Sequence, residues 1–179
     1  MNRVVRVCVM LASAVVLAAC SPRYDWREVH DTDGGYAVTY PAKPTQDARE
    51  VKFASGALPM RMQAARVDAA LFAVGVVTLP SDDATLRQTV LAELQQGLLA
   101  NVNEAAAKPA QVMVRQAGDA PAVPGLAVAA QGVASDKTPR YVAARFVGRG
   151  KHVYQVVVLA TKAPTQDQVD QFLDSFTLE

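Results

Sequence analysis

Cysteine and histidine are almost missing from this chain, and each shortage removes a class of chemistry. Cys8 and Cys20 are its two cysteines, so at most one disulfide can form and no disulfide framework can replace a hydrophobic core. His30 and His152 are the only imidazoles, and a zinc site would need both together with carboxylates from distant segments. Two surface or strand-end histidines are the simpler reading. Aromatic residues are 6% of the chain, so small aliphatics, chiefly Ala and Val, must do most of the packing. Charge of one sign is also lacking, with 18 basic residues against 17 acidic, which gives no electrostatic case for a nucleic-acid partner.

Activated nucleophiles are lacking as well. Ser55, Ser81, Ser135 and Ser175 fall in neither a Gly-x-Ser-x-Gly elbow nor a Ser-x-x-Lys pair. Gly148-Arg149-Gly150 is too short for a phosphate loop and has no helix after it, so it reads as a hairpin turn. Asp31-Thr32-Asp33-Gly34 opens like a calcium loop but lacks the spacing and the closing Glu, and is read as an Asx-type turn. Catalytic, cofactor-binding and metal-ligating residues are therefore all assigned as none, and the protein is expected not to be an enzyme.

What is present begins at the N-terminus. Arg3 and Arg6 precede an apolar run from Val7 to Ala19, the layout of a secretory signal. The run is shorter than the roughly 20 residues a membrane-spanning helix needs. Leu17-Ala18-Ala19-Cys20 resembles the lipobox of bacterial lipoproteins. That resemblance implies cleavage before Cys20, diacylglyceryl attachment to its thiol and acylation of the new amine. Two or more acyl chains anchor stably where one holds only marginally. Ser21 stands where the inner-membrane retention signal of well-studied enterobacterial lipoproteins has Asp, so the resemblance implies sorting to the outer membrane.

Removing residues 1–19 leaves 160 residues, the size of one domain. Cys8 leaves with the signal and Cys20 is alkylated, so no thiol remains to oxidise. Loss of Arg3 and Arg6 leaves 16 basic against 17 acidic residues, so the acyl chains are the membrane signal. The organisation expected is a leader over 1–19, a lipidated Cys and short tether over 20–25, and a single domain over 26–179. So short a tether holds the domain close to the bilayer.

Period-two patterns predict strands over Trp26 to His30, Tyr36 to Tyr40, Arg49 to Phe53, Met60 to Val67, Leu71 to Leu79, Gln111 to Gln116, Leu126 to Ala134, Arg140 to Val147 and His152 to Ala160. The almost unbroken apolar run of Leu71 to Leu79 predicts a central strand covered on both faces. Ser81, Asp82 and Asp83 cap a helix carrying Leu86, Val90, Leu91, Leu94, Leu98 and Val102 on one side. A capping box at Thr165 to Gln168 starts a second helix with Val169, Phe172, Leu173 and Phe176 inward. Ala117 to Gly125, with Pro121 and Pro124-Gly125, is expected to be irregular and a candidate binding loop. Arg140, Arg145, Arg149 and Lys151 are a candidate basic edge, though the odd spacing of the first two puts them on opposite faces of a regular strand. Together these elements predict an α+β fold, an antiparallel β-sheet flanked by helices in an α/β/α sandwich.

Tyr36 to Pro44, Tyr141 to Phe146, Tyr154 to Val158 and Phe172 to Phe176 resemble the PsbP-like superfamily, with Ala42 where that family commonly has Gly. The resemblance implies an antiparallel sheet between helices, no catalytic residue and accessory binding of other proteins. The function expected is that of a non-enzymatic, lipid-anchored envelope lipoprotein, an accessory protein-binding or scaffold domain on the periplasmic face of the outer membrane. Its partners are the membrane, through the anchor, and an envelope protein. The alternative is a periplasmic carrier or sensor for a small apolar ligand or lipid, with Met60, Met62 and Met113 lining an adaptable pocket.

Overall fold

The computed structural model describes residues 23–100, 102, 109–134 and 136–179. Ten strands form one sheet: β1 (Arg27–Asp31), β2 (Tyr36–Tyr40), β3 (Thr45–Phe53), β4 (Gly56–Val67), β5 (Ala70–Thr78), β6 (Ala110–Gln116), β7 (Val123–Val133), β8 (Pro139–Arg149), β9 (His152–Ala160) and β10 (Thr177–Leu178). Helix α1 (Ala84–Ala100) joins β5 to β6, and α2 (Gln166–Ser175) precedes β10. The spatial order is β1-β2-β10-β6-β7-β8-β9-β5-β4-β3. Every pair is antiparallel except β10 with β6.

This order forces the sheet to curl. Tyr40 ends β2, second in the order, and Thr45 begins β3, last in it. Eight strand steps at about 4.8 Å would separate them by roughly 38 Å in a flat sheet. The chain between them reaches only about 18 Å when fully extended. The β1–β2 end must therefore fold back over β4, and the Tyr40 hydroxyl donates to the Gln63 carbonyl on β4 at 3.1 Å. The β1–β2 turn likewise reaches β9, where the Tyr154 hydroxyl donates to the Gly34 carbonyl at 2.9 Å.

The expected α/β/α sandwich does not form. Strand accounts for 54% and helix for 18% of the described residues, in a curled half-barrel with two helices. Helical periodicity is confined to α1 and α2, too little to make a layer on each face of ten strands. The concave face is closed instead by the sheet's own far end together with α2.

Strand β5 is covered on both faces, as its apolar run predicts. Phe72, Val74 and Val76 face a core with Tyr36, Tyr40, Tyr154, Phe172 and Phe176. The alternate residue Ala73 faces Leu98 and Val102 at the C-terminal side of α1, and Val77 packs with Val90. Phe172 lies against Phe72 and Tyr40, with ring centroids at 5.4 and 5.5 Å. Asp83 caps α1, its Oδ1 accepting from the Thr85 and Leu86 amides. The Thr165 amide donates to Gln168 Oε1 at 3.0 Å, one arm of the expected capping box. The sheet's free edges are β1 and β3, and β3 carries Asp47, Arg49, Glu50 and Lys52, charges that discourage pairing with another chain.

Burial also gives the fold an alkaline limit. It pushes the Tyr154 hydroxyl up to about 12, and raises Tyr36 and Tyr40 further. An unfolded tyrosine titrates near 10. The folded state therefore holds these protons more tightly, so their contribution to stability is complete below about pH 10 and falls as pH rises toward 12. A spectrophotometric titration with parallel circular dichroism is expected to show tyrosinate from these residues only as the fold is lost. Their ionisation near pH 10 with the fold intact would contradict this packing.

Candidate functional site

The segment before β1 is fastened to the domain. Arg23 pairs with Asp68 in the β4–β5 turn. Tyr24 stacks on Trp26 with centroids 5.6 Å apart, and both rings meet the edge of Phe72. The Tyr24 hydroxyl donates to Gln168 Oε1 at 3.1 Å, and the Asp25 amide to the Pro41 carbonyl at 2.9 Å. Cys20 and Ser21 lie outside the described residues. Three residue steps separate Cys20 from Arg23, at most about 11 Å. The N-terminal segment thus meets the domain beside the β4–β5 turn and the loop after β9, where the Thr161 amide donates to the Ala69 carbonyl.

At this end of the sheet an open cleft of about 620 Å³ lies on the α1 side. Its floor is a single row of registered residues: Arg66 on β4 opposite Leu71 on β5, Leu71 opposite Leu159 on β9, and Leu159 opposite Val142 on β8. Helix α1 covers this face as far as Leu98 and ends at Ala100, short of the row. Leu71 and Leu159 remain half-buried. Arg66 has no ion-pair partner among the described residues, and Arg140 meets Asp136 only at 3.8 Å. Lys137, beside Asp136 at φ 64°, is exposed near the mouth, and Lys162, which follows Thr161 of the lining, is exposed at a separate, smaller pocket with Arg23 and Asp68. Local sequence patterns gave no sign of this site. The usable signal was the hairpin: a two-residue turn at Asp68-Ala69 places Arg66 opposite Leu71.

At the other end, Asp31 holds the curl closed. Its Oδ1 accepts from the Gly34 amide at 2.8 Å, the Asx-type turn expected, and from Arg61 at 2.7 Å. Its Oδ2 accepts from Gln63 Nε2 at 2.9 Å. The Asp31 side chain is 11% exposed, whereas Asp33, which also meets Arg61, is 82% exposed. Asp31→Ala strands three donors, one of them on a solvated arginine, and is expected to cost about 2–3 kcal/mol. Asp33→Ala is expected to stay within about 0.5 kcal/mol. Urea midpoints measure both, and equal losses would contradict the assignment.

The remaining sequence candidates are dispersed. His30 contacts Glu28 and Glu179, whereas His152 stands edge-on to Tyr154. Burial, with Arg61 and Arg149 nearby, lowers the His152 pKa. No group of three or more His, Cys, Asp or Glu side chains among the described residues is placed to hold a metal ion. The basic edge does not assemble: Arg145 pairs with Asp174 and donates to the Leu173 carbonyl, Arg149 donates to the Glu179 carbonyl, and Arg140 lies at the cleft. Met60 is buried against Gly75, Met62 lies between two core clusters and Met113 is 59% exposed, so the three share no pocket. The expected loop at Ala117 to Gly125 is shorter than read, because β7 begins at Val123 and includes Pro124 and Gly125. Comparison with known proteins finds no family model that matches the chain and no curated protein that matches it in sequence.

Proposed function

We propose that this chain is a non-enzymatic lipoprotein of the bacterial envelope, anchored through Cys20 and sorted, with Ser21 after the anchor, to the periplasmic face of the outer membrane. There it serves as an accessory protein-binding or scaffold domain for an envelope protein. The observation that carries the reading is the fastening of residues 23–25 to the domain, added to the lipobox. Only Ser21 and Pro22 separate the anchored cysteine from a residue paired with Asp68. A domain held this way keeps one end toward the bilayer and works at the membrane surface. No helix among the described residues is long and apolar enough to cross a membrane.

Kinship with the PsbP-like superfamily is part of the proposal. Its support is that Tyr36, Tyr40, Tyr154, Phe172 and Phe176, within the segments that carry the resemblance, pack into one aromatic core.

Cys20→Ala is expected to leave residues 1–19 attached and to add no acyl mass to the protein. Crosslinking in intact cells is expected to enrich an envelope protein over a control carrying only residues 1–25. Normal processing and membrane retention of Cys20→Ala would overturn the anchor, and no enrichment over the control would overturn the binding role.

A further inference from the structure

We propose that the cleft at the tethered end binds an anionic phospholipid of the membrane that holds the protein. The proposal rests on the lipid-anchored reading for proximity to that membrane and on the cleft's own chemistry for its ligand. Arg23 pairs with Asp68, the residue beside Ala69 of the cleft lining, so the anchor and the cleft share one end of the domain. Its volume, about 620 Å³, lies within the roughly 300–1,000 Å³ of ligand sites.

The lining is amphipathic in a definite order. Leu71, Leu159 and Val142 make an apolar floor across three adjacent strands, continuing the face that α1 covers elsewhere. Arg66 begins the row, and Arg140 lies at the cleft with its charge only loosely engaged by Asp136. An apolar floor beside under-engaged guanidinium groups suits an acyl chain joined to a phosphate, which arginine recognises through paired donors. The floor lies in the face of the sheet, where backbone groups are already paired in the ladders. A peptide would therefore find no strand edge to extend there. Among the described residues, Asp25 and Asp68 at this end are each paired with an arginine, Asp136 lines the cleft 3.8 Å from Arg140, and Lys43, Arg66, Lys137 and Lys162 have no ion-pair partner. Asp167 and Asp170 lie in the first turns of α2, which packs against the opposite face.

The test uses the processed, membrane-extracted protein reconstituted in vesicles containing phosphatidylglycerol with a photoactivatable group on one acyl chain. Identically labelled phosphatidylcholine is the control. Crosslinks mapped by peptide mass spectrometry are expected in the segments holding Leu71, Val142 and Leu159, and to be much weaker with phosphatidylcholine. Because a polar substitution on the floor endangers folding, the variant is the exposed Arg66→Glu combined with the half-buried Arg140→Glu, its fold checked by circular dichroism. Reversing two cations near an anionic surface is expected to lower cleft labelling by more than about tenfold. Equal labelling by the two lipids, labelling unaffected by charge reversal, or labelling confined to residues near Arg23 would overturn the site. Vesicle flotation separates the two readings. Protein that floats without cleft labelling refutes the lipid site and leaves the anchor standing. Equal cleft labelling of wild type and Cys20→Ala supports the site without the anchor.

Discussion

Phe172→Ala is expected to destabilise the domain by about 3–5 kcal/mol, a large share of the roughly 5–15 kcal/mol that holds an ordinary domain together. Phe172 is fully buried on α2 and touches Phe72 of the central strand and Tyr40 of the strand that folds over it. Three parts of the chain meet on this one ring: the terminal helix, the middle of the sheet and its curled-back end. Removing it leaves a cavity that none of them can fill alone, because each is fixed by its own ladder or helix bonds. The melting temperature is expected to fall by roughly 6–20 °C. A loss below about 1 kcal/mol in urea unfolding would contradict the placement of α2 as the plug of the half-barrel.

Gly125→Val is expected to cost at least about 3 kcal/mol or to prevent folding. A Cβ at Gly125 would come within 2.7 Å of the Phe146 carbonyl oxygen, and within 3.3 Å of a Val114 methyl. The obstacle is backbone of the neighbouring strand, which cannot rotate aside as a side chain can. Gly118→Val is a suitable comparison for space: no heavy atom lies within 4 Å of a Cβ there, so the strain of its positive φ is what that substitution reports. Unfolding curves that rank Gly118→Val as the more damaging would contradict the strand assignment of Val123 to Gly125.

Gly125 also marks where sequence reasoning fails. Pro124-Gly125 reads as a breaker, yet both residues lie in β7. There β7 pairs with β6 but not yet with β8, whose ladder starts at Leu126, so the missing Pro124 amide leaves no such bond unmade. The glycine is needed for close approach. Where residues alternate cleanly, local reading was enough: Tyr36 to Tyr40 and His152 to Ala160 are strands with the boundaries expected. The helix faces followed from their 3.6-residue period, although Val102 and Phe176, read as helical, lie past the ends of α1 and α2. The overall form was not, because it depends on which distant strands pair. β9 enters between β8 and β5, and β10, unexpected from sequence, enters between β2 and β6. Once that order is known, the short Pro41 to Pro44 connection dictates the curl. The cleft was hidden by the same cause, since Arg66, Leu71, Leu159 and Val142 form a row only through pairing.

The docking of Tyr24 was equally invisible, because an aromatic residue in a presumed tether carries no periodic pattern. Its packing on Phe72 fixes Tyr24, within the expected tether, to the domain. With the lipobox, that attachment leads to one claim above the others, that the domain is covalently held at Cys20.

The intact mass of the protein extracted from membranes tests this most directly. Loss of residues 1–19 and an added diacylglyceryl group on Cys20, with acylation of its amine, are the expected result. A mass matching the unmodified chain, with or without its leader, would contradict it.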